Sequence, residues 1–291
     1  MMYLLLVLSL IACGGKEHKP KPTQSDKTGE LAAMYELKLS EIKALQSPAG
    51  WIEMGHCDAA LWTGKLGAAH GVTIDFAAAE YPAQPGRFNR RPPPFCEAGA
   101  GSATSWSRDM GMGLLAYSWK KAQLGLVERH AAYGKASFWK MGEPLGDGRV
   151  LYTPTMIGHL YQVIWALGGE DNAARAWPSV YPSGLDDFQA HLQMMDIWLR
   201  GEIAEKDRLS LALDISNAML DRAKEHAARE PACPFYQFLY GTYTGDLGPA
   251  VELLLSYDYD CQYFRDSEPE AKAGEWIFAA SMTLERLGAW K

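Results

Sequence analysis

Several familiar signatures are missing from this sequence. No Cys-x-x-Cys or His-x-x-x-His spacing occurs, so the usual frame of a zinc site is absent. There is no phosphate loop, no Gly-x-Ser-x-Gly elbow, no His-Glu-x-x-His and no Gly-x-Gly-x-x-Gly fingerprint. No cofactor is therefore expected. Positive charge is in deficit: 28 Lys and Arg stand against 35 Asp and Glu, a net charge of −7, which gives no reason to expect nucleic-acid binding. No apolar run reaches the roughly 20 residues that cross a bilayer. Strand signals are missing too; no segment alternates convincingly with period two.

What is present is a chain of 291 residues, 48% hydrophobic, with ten Trp and fourteen Tyr. That is enough for a large core, and aromatic side chains also line sites for ring-shaped ligands. Met1 to Ala12 is apolar and has the length of a signal-peptide core. Leu10-Ile11-Ala12-Cys13 resembles a bacterial lipobox, which implies cleavage before Cys13 and lipidation of its sulfur; the Lys or Arg that usually precedes such a run is absent here. An ordinary secretory signal is the alternative. Residues 13–29 are polar and Lys- and Pro-containing, and read as a tether. Residues 30–291 read as a single all-α domain. Contact with a membrane is expected through the lipid anchor only, in the bacterial cell envelope.

If Cys13 carries lipid, Cys57, Cys96, Cys233 and Cys261 remain, an even number suited to an oxidising compartment. Of the three possible pairings, proximity favours Cys57–Cys96 with Cys233–Cys261; free buried thiols are the alternative.

Helical spacing of apolar residues marks Glu30–Leu45, Asp58–His70, Asp109–Lys121, Leu126–Trp139, Thr155–Leu167, Asp186–Leu199, Asp207–Arg229, Pro234–Tyr243, Pro249–Tyr257 and Ala271–Leu287. Val72–Glu80 is ambiguous between a short strand and a helix. No strict repeat is found, yet a helix pair recurs every 40–50 residues or so, as stacked hairpins would give. Asp58–His70 and Thr155–Leu167, apolar or Ala- and Gly-rich, suit an inner layer; Leu126–Trp139 and Asp207–Arg229 suit an outer one.

Chemistry concentrates between Gly55 and Lys121. His56-Cys57-Asp58 and Ser105-Trp106-Ser107-Arg108-Asp109 each run into a helix, with a carboxylate at its start where Asp is a good N-cap. Between them lies a Pro-rich loop carrying Arg87, Arg90 and Arg91. Paired helices, an Asp at the start of inner helices, Trp-rich loops and Ser107-Arg108-Asp109-Met110 followed by Gly113-Leu114-Leu115 resemble the (α/α) toroids of the six-hairpin glycosidase type. The resemblance is architectural and spans about Leu31 to Trp290. It implies a toroid or an incomplete helical-hairpin barrel, with a saccharide cleft at one end and carboxylates doing acid–base work.

On that basis Asp58 and Asp109 are candidate acid and base, against the plain alternative of two helix caps. His56 is a candidate proton shuttle, or an ordinary loop residue. Arg108 is a candidate carboxylate clamp or a structural ion pair. Arg87, Arg90 and Arg91 suit a uronate or other small anion, or a solvated face. Trp62 and Trp106 are candidate stacking surfaces; Tyr152 and Tyr236 are candidates for facing the cleft. Asp75 and Glu80 are reserve acids. Trp119, Trp139 and His159 read as interior residues. Three classes remain open: a glycoside hydrolase or polysaccharide lyase, a non-catalytic lipoprotein binding a glycan or protein, and a helical enzyme acting on a lipid or peptide. Metabolic labelling with a fatty acid should mark the intact chain and leave Cys13→Ala unlabelled; equal labelling of both would refute the lipobox reading.

Overall fold

A computed structural model describes residues 24–52, 59–92, 106–141, 150–170, 183–185, 187–207, 212–257, 259–261 and 269–290. The described chain is almost entirely helical: α1 Gln24–Leu45, α2 Ala59–Ala68, α3 Arg108–Lys120, α4 Leu124–Ala136, α5 Pro154–Ala166, α6 Asp187–Asp207, α7 Ala212–Arg229, α8 Pro234–Thr244, α9 Gly248–Ser256 and α10 Pro269–Arg286. Val72–Glu80 resolves into a 3-10 turn at Phe76–Ala79. One small hairpin, unforeseen in the sequence, pairs β1 Lys140–Met141 with β2 Val150–Leu151.

Local rules explain the boundaries. Thr153 caps α5, its hydroxyl accepting the Met156 amide at 3.3 Å, and Pro154 follows at the position that needs no amide donor. Pro234 opens α8 in the same way, and Gly245 closes it at φ +80°. The expected helix Leu126–Trp139 stops instead at Ala136, because Phe138 and Trp139 turn left-handed, at φ 55° and 60°.

Contacts link six helices in a circuit, α2 on α3, α3 on α5, α5 on α6, α6 on α8, α8 on α10 and α10 back on α2, and α3 also touches α6 directly across it. Contacts along the circuit advance together. Gly113 of α3 meets Leu61 of α2, and Tyr117 meets Gly67 one turn further on. Lys65 pairs with Glu275 of α10, and the His70 amide beyond α2 donates to Ser281 at 2.8 Å. His191 of α6 faces Phe235 of α8, while Tyr243 donates to the Ile197 carbonyl at 3.5 Å. Met156 reaches Gly111 near the start of α3, and Gly169 reaches Leu124 past the ends of α5 and α3. These helices therefore run in one direction. Their far ends are tied by charge: Lys120 of α3 bonds Glu202 of α6 at 3.2 Å and Glu285 of α10 at 2.7 Å, and Arg286 reaches Glu205 at 2.6 Å. The remaining helices lie outside: α1 on α9 and α10, α4 on α3 and α5, α7 on α6 and α8.

The α2–α3 contact is the tightest. A Cβ on Gly64 would stand 2.1 Å from the Gly113 carbonyl oxygen, and one on Gly113 would stand 2.6 Å from that of Ala60. Glycine inside a helix costs about 1 kcal/mol against alanine; here it lets two backbones touch. Cys233 and Cys261 form a disulfide that ties the start of α8 to the segment before α10, as expected; its closed loop is worth roughly 3–4 kcal/mol by chain entropy. Cys13, Cys57 and Cys96 lie outside the described residues.

Gly64→Ala should cost about 3 kcal/mol or more, since the overlap is with backbone and the core cannot yield. Its thermal midpoint should fall by several degrees, whereas Gly274→Ala, where a Cβ meets nothing within 4 Å, should hold or raise it.

Candidate functional site

The six helices begin at a common end, and α3 brings the most chemistry there. Ser107 is its N-cap, so Asp109 is not a cap but stands in the first turn, 7% exposed. Just ahead of it a hydrogen-bonded chain crosses four segments. The Trp106 indole N–H donates to the Tyr152 hydroxyl oxygen at 2.6 Å. His130 of α4 lies 2.9 Å from that oxygen through Nε2 and 2.7 Å from the Gly86 carbonyl through Nδ1. A carbonyl only accepts, so Nδ1 carries the proton, Nε2 is an acceptor and Tyr152 donates to it. Burial pushes His130 down to about 4, in keeping with a neutral ring. Burial pushes the Tyr152 hydroxyl up; the Trp106 bond opposes this and the charge of Asp109 adds to it.

Two glycines permit the arrangement. A Cβ on Gly111 would meet the Tyr152 hydroxyl at 2.2 Å, and one on Gly86, at φ +85°, would meet the Arg129 carbonyl at 1.9 Å. The Gly86 loop is pinned by Glu80, which accepts its amide at 2.6 Å and grips Arg129 at 2.7 and 2.8 Å. Burial would raise Glu80, but Arg129 and the amide outweigh it and hold the carboxyl below its ordinary range.

The other candidates are distributed as follows. Arg87 is 5% exposed, donates to Gln84 at 2.7 Å and lies 4.6 Å over the Tyr81 ring. Arg90 is buried, Arg91 half-buried and Arg108 exposed. Trp106 and Tyr152 are 1% and 2% exposed, and each presents its polar atom to the other rather than to solvent. Tyr236 is fully buried on α8, its ring 6.0 Å from His226. Trp62 is buried on α2. His56 and Asp58 lie outside the described residues. So Asp109, Trp106 and Tyr152 come together, and Tyr236 stands apart with His226.

The interior of the circuit holds two charged clusters that the sequence reading did not single out. Lys65 is wholly buried on α2, paired with Glu275 and 2.8 Å from His191. Its ammonium lies 4.8, 5.1 and 5.4 Å over the rings of Phe235, Phe278 and Trp62. Burial lowers its pKa to about 8, against the pull of Glu275. The only sequence signal is a single Lys in an otherwise apolar, Gly-rich helix. Further along α6, Asp196 pairs with His159 and with Arg200 at 3.2 Å. His159 was expected to be an interior residue, but its carboxylate partner arrives from another helix.

Comparison with known protein families, curated proteins and solved structures finds no match. Among the described residues no helix is long and apolar enough to cross a membrane, and no group of three or more His, Cys, Asp or Glu could hold a metal ion.

The buried imidazoles set a pH dependence. His130 binds its proton near 4 folded and near 6.5 unfolded, and His159 and His191 are lowered well below 6.5, chiefly by burial. Between those values only the unfolded chain is protonated. Stability is therefore complete above pH 6.5 and is lost as pH falls through 4, by about 3 kcal/mol for His130 alone. Urea midpoints measured from pH 7.5 to 4.5 should fall in that window, less steeply in His130→Gln.

Proposed function

We propose that this chain is an exported, lipid-anchored (α/α) toroid that binds a saccharide and acts on it by carboxylate acid–base chemistry. The observation carrying this reading is the shared direction of six helices in a circuit. In such a circuit the segments preceding the helices gather at one end, which makes that end the place for a cleft. Asp109 stands at that end, three residues after Trp106 of the Trp106–Tyr152–His130 chain, and is assigned as one carboxylate. Asp58, the residue before α2, is assigned as the second, with His56 beside it in sequence. Two such groups flanking a glycosidic bond serve as acid and base. Arg91 and Arg108 are assigned to an anionic substrate; Arg87 and Arg90, which are buried, are not. The Cys233–Cys261 disulfide supports an oxidising compartment, in keeping with export and a lipid at Cys13.

A second reading, a non-catalytic lipoprotein that binds a glycan or a protein partner, draws support from the burial of Trp106, Tyr152 and Tyr236. Buried and packed, these rings serve the core and are not open platforms.

The two separate on Asp109→Asn, which keeps the shape and removes the charge. Against a panel of acidic and neutral polysaccharides, the intact chain should shorten at least one acidic polymer, and the variant should do so about 100-fold more slowly or worse with affinity within a few-fold. Binding without cleavage by the intact chain favours the second reading. Neither binding nor cleavage of any member refutes the saccharide assignment.

A further inference from the structure

Phe138 is 82% exposed, which is unusual for a large aromatic side chain, and it is held in a conformation that disfavours it. It and Trp139 both have left-handed backbone, at φ 55° and 60°. Glycine or asparagine is the usual residue just past a helix end in that conformation, because a Cβ is penalised there. The turn closes α4: the Phe138 amide bonds the Lys135 carbonyl at 3.3 Å and the Trp139 amide bonds that of Gly134 at 2.7 Å. Trp139 is folded inward, its ring so close to Gly134 that a Cβ there would come within 2.4 Å, and it meets Tyr161 edge-on at 5.9 Å. The same turn sends Phe138 outward.

Two features extend this point into a patch. Leu151, on β2, is 59% exposed, and Lys140, which pairs with it across the hairpin, is exposed as well. Among the described residues no carboxylate pairs with Lys140. An aromatic face, an aliphatic neighbour and an exposed ammonium match a sugar ring bearing a carboxylate. The ring's C–H face packs on Phe, and the acid meets Lys.

The patch lies at the end where Asp109 stands. α4 runs back along α3 after a short link, so its last residues lie toward the start of α3. Independently, the Tyr152 amide donates to the Trp139 carbonyl at 3.0 Å, and the Tyr152 side chain touches Trp106 and Gly111 at the start of α3. One residue therefore links the turn that projects Phe138 to the helix that carries Asp109.

We infer that Phe138, Lys140 and Leu151 form a rim subsite for one anionic sugar ring of a polymeric substrate, with Phe138 as its platform and Lys140 as its carboxylate partner. The inference rests on the saccharide reading above and adds a position outside the acid–base centre. Phe138 touches substrate in this assignment but takes no part in bond breaking.

The test is affinity electrophoresis of the full chain through gels containing polygalacturonate, alginate or hyaluronate, with dextran as the neutral control. Intact protein should be retarded by at least one acidic polymer. Phe138→Ala should weaken that retardation at least tenfold, Phe138→Trp should keep it, and Lys140→Gln should reduce the preference for the acidic polymer over dextran at least fivefold. Thermal midpoints of all three should stay at or above that of the intact protein, since no packed group is lost. Retardation of Phe138→Ala equal to that of the intact chain overturns the subsite and leaves the saccharide reading standing. No retardation of the intact chain by any acidic polymer overturns both.

Discussion

An ammonium group with no access to water sits where four helices meet. Lys65 of α2 is paired with Glu275 of α10, abuts His191 of α6 and is walled by Phe235 of α8. Removing an ion from water costs several kcal/mol even after relaxation, so Lys65 is tolerable inside only when all these neighbours are in place. The depressed pKa of about 8 says that burial outweighs the partner's attraction. The consequence is specificity more than strength. A partly assembled circuit would leave either the ammonium or the carboxylate alone in an apolar interior, so the first inner helix and the last are compatible with each other and with few alternatives. They lie some 200 residues apart, and closure of the circuit depends on their meeting.

That constraint acts together with a steric one. The backbones of α2 and α3 touch through Gly64 and Gly113, which sets their separation and leaves little freedom in their relative slide. With α2 fixed against α10 by charge and α3 fixed against α2 by contact, the start of α3 has one position. The Trp106–Tyr152–His130–Gly86 chain then attaches the Glu80–Gly86 loop, α4 and the entry to α5 to that same point. Every polar atom in the chain is satisfied by the neutral tautomer, so it orders four segments without burying a charge. Asp109 thus stands on a helix start fixed both by the α2–α3 backbone contact and by this hydrogen-bonded chain.

Much of this was legible in the sequence because most helices announce themselves by period and punctuation. Pro154 and Pro234 mark starts, Gly168 and Gly245 mark ends, and the Ala- and Gly-rich helix at residues 59–68 is buried along its described length. The errors have physical causes. Leu126–Trp139 looks helical throughout because nothing local signals a left-handed turn at a Phe and a Trp. Helix α6 runs on to Asp207, beyond Leu199, because Glu202, Ala204, Glu205 and Lys206 are sound helix formers and outweigh the single Gly201. Arg87 suggested an exposed patch, yet it is buried over Tyr81, since a guanidinium can stack as well as solvate. Lys65, Glu275 and His191 were illegible in principle. Each is an isolated polar residue in its own segment, and only the circuit brings them together.

Where the chain breaks local rules is informative in its own right. The interior obeys them: apolar faces are inward and buried charges are paired. Left-handed non-glycine residues also follow α3 and α9, at Ala122 and Tyr257, but several departures meet at the end where α3 and α5 begin. Gly86 is left-handed and pressed against a backbone carbonyl, Phe138 and Trp139 are left-handed without being glycine, and a large aromatic ring is left in water. A sequence under selection for stability alone would place Gly or Asn at 138 and shorten the hairpin. A strained turn persists when the surrounding packing over-determines it, and here that packing is Trp139 against Gly134 and Tyr161, tied through Tyr152 to the helix that carries Asp109. The stiffness of the interior is therefore what allows one end to hold side chains in costly positions, and it is at that end that a ligand would find both charge and an open aromatic face.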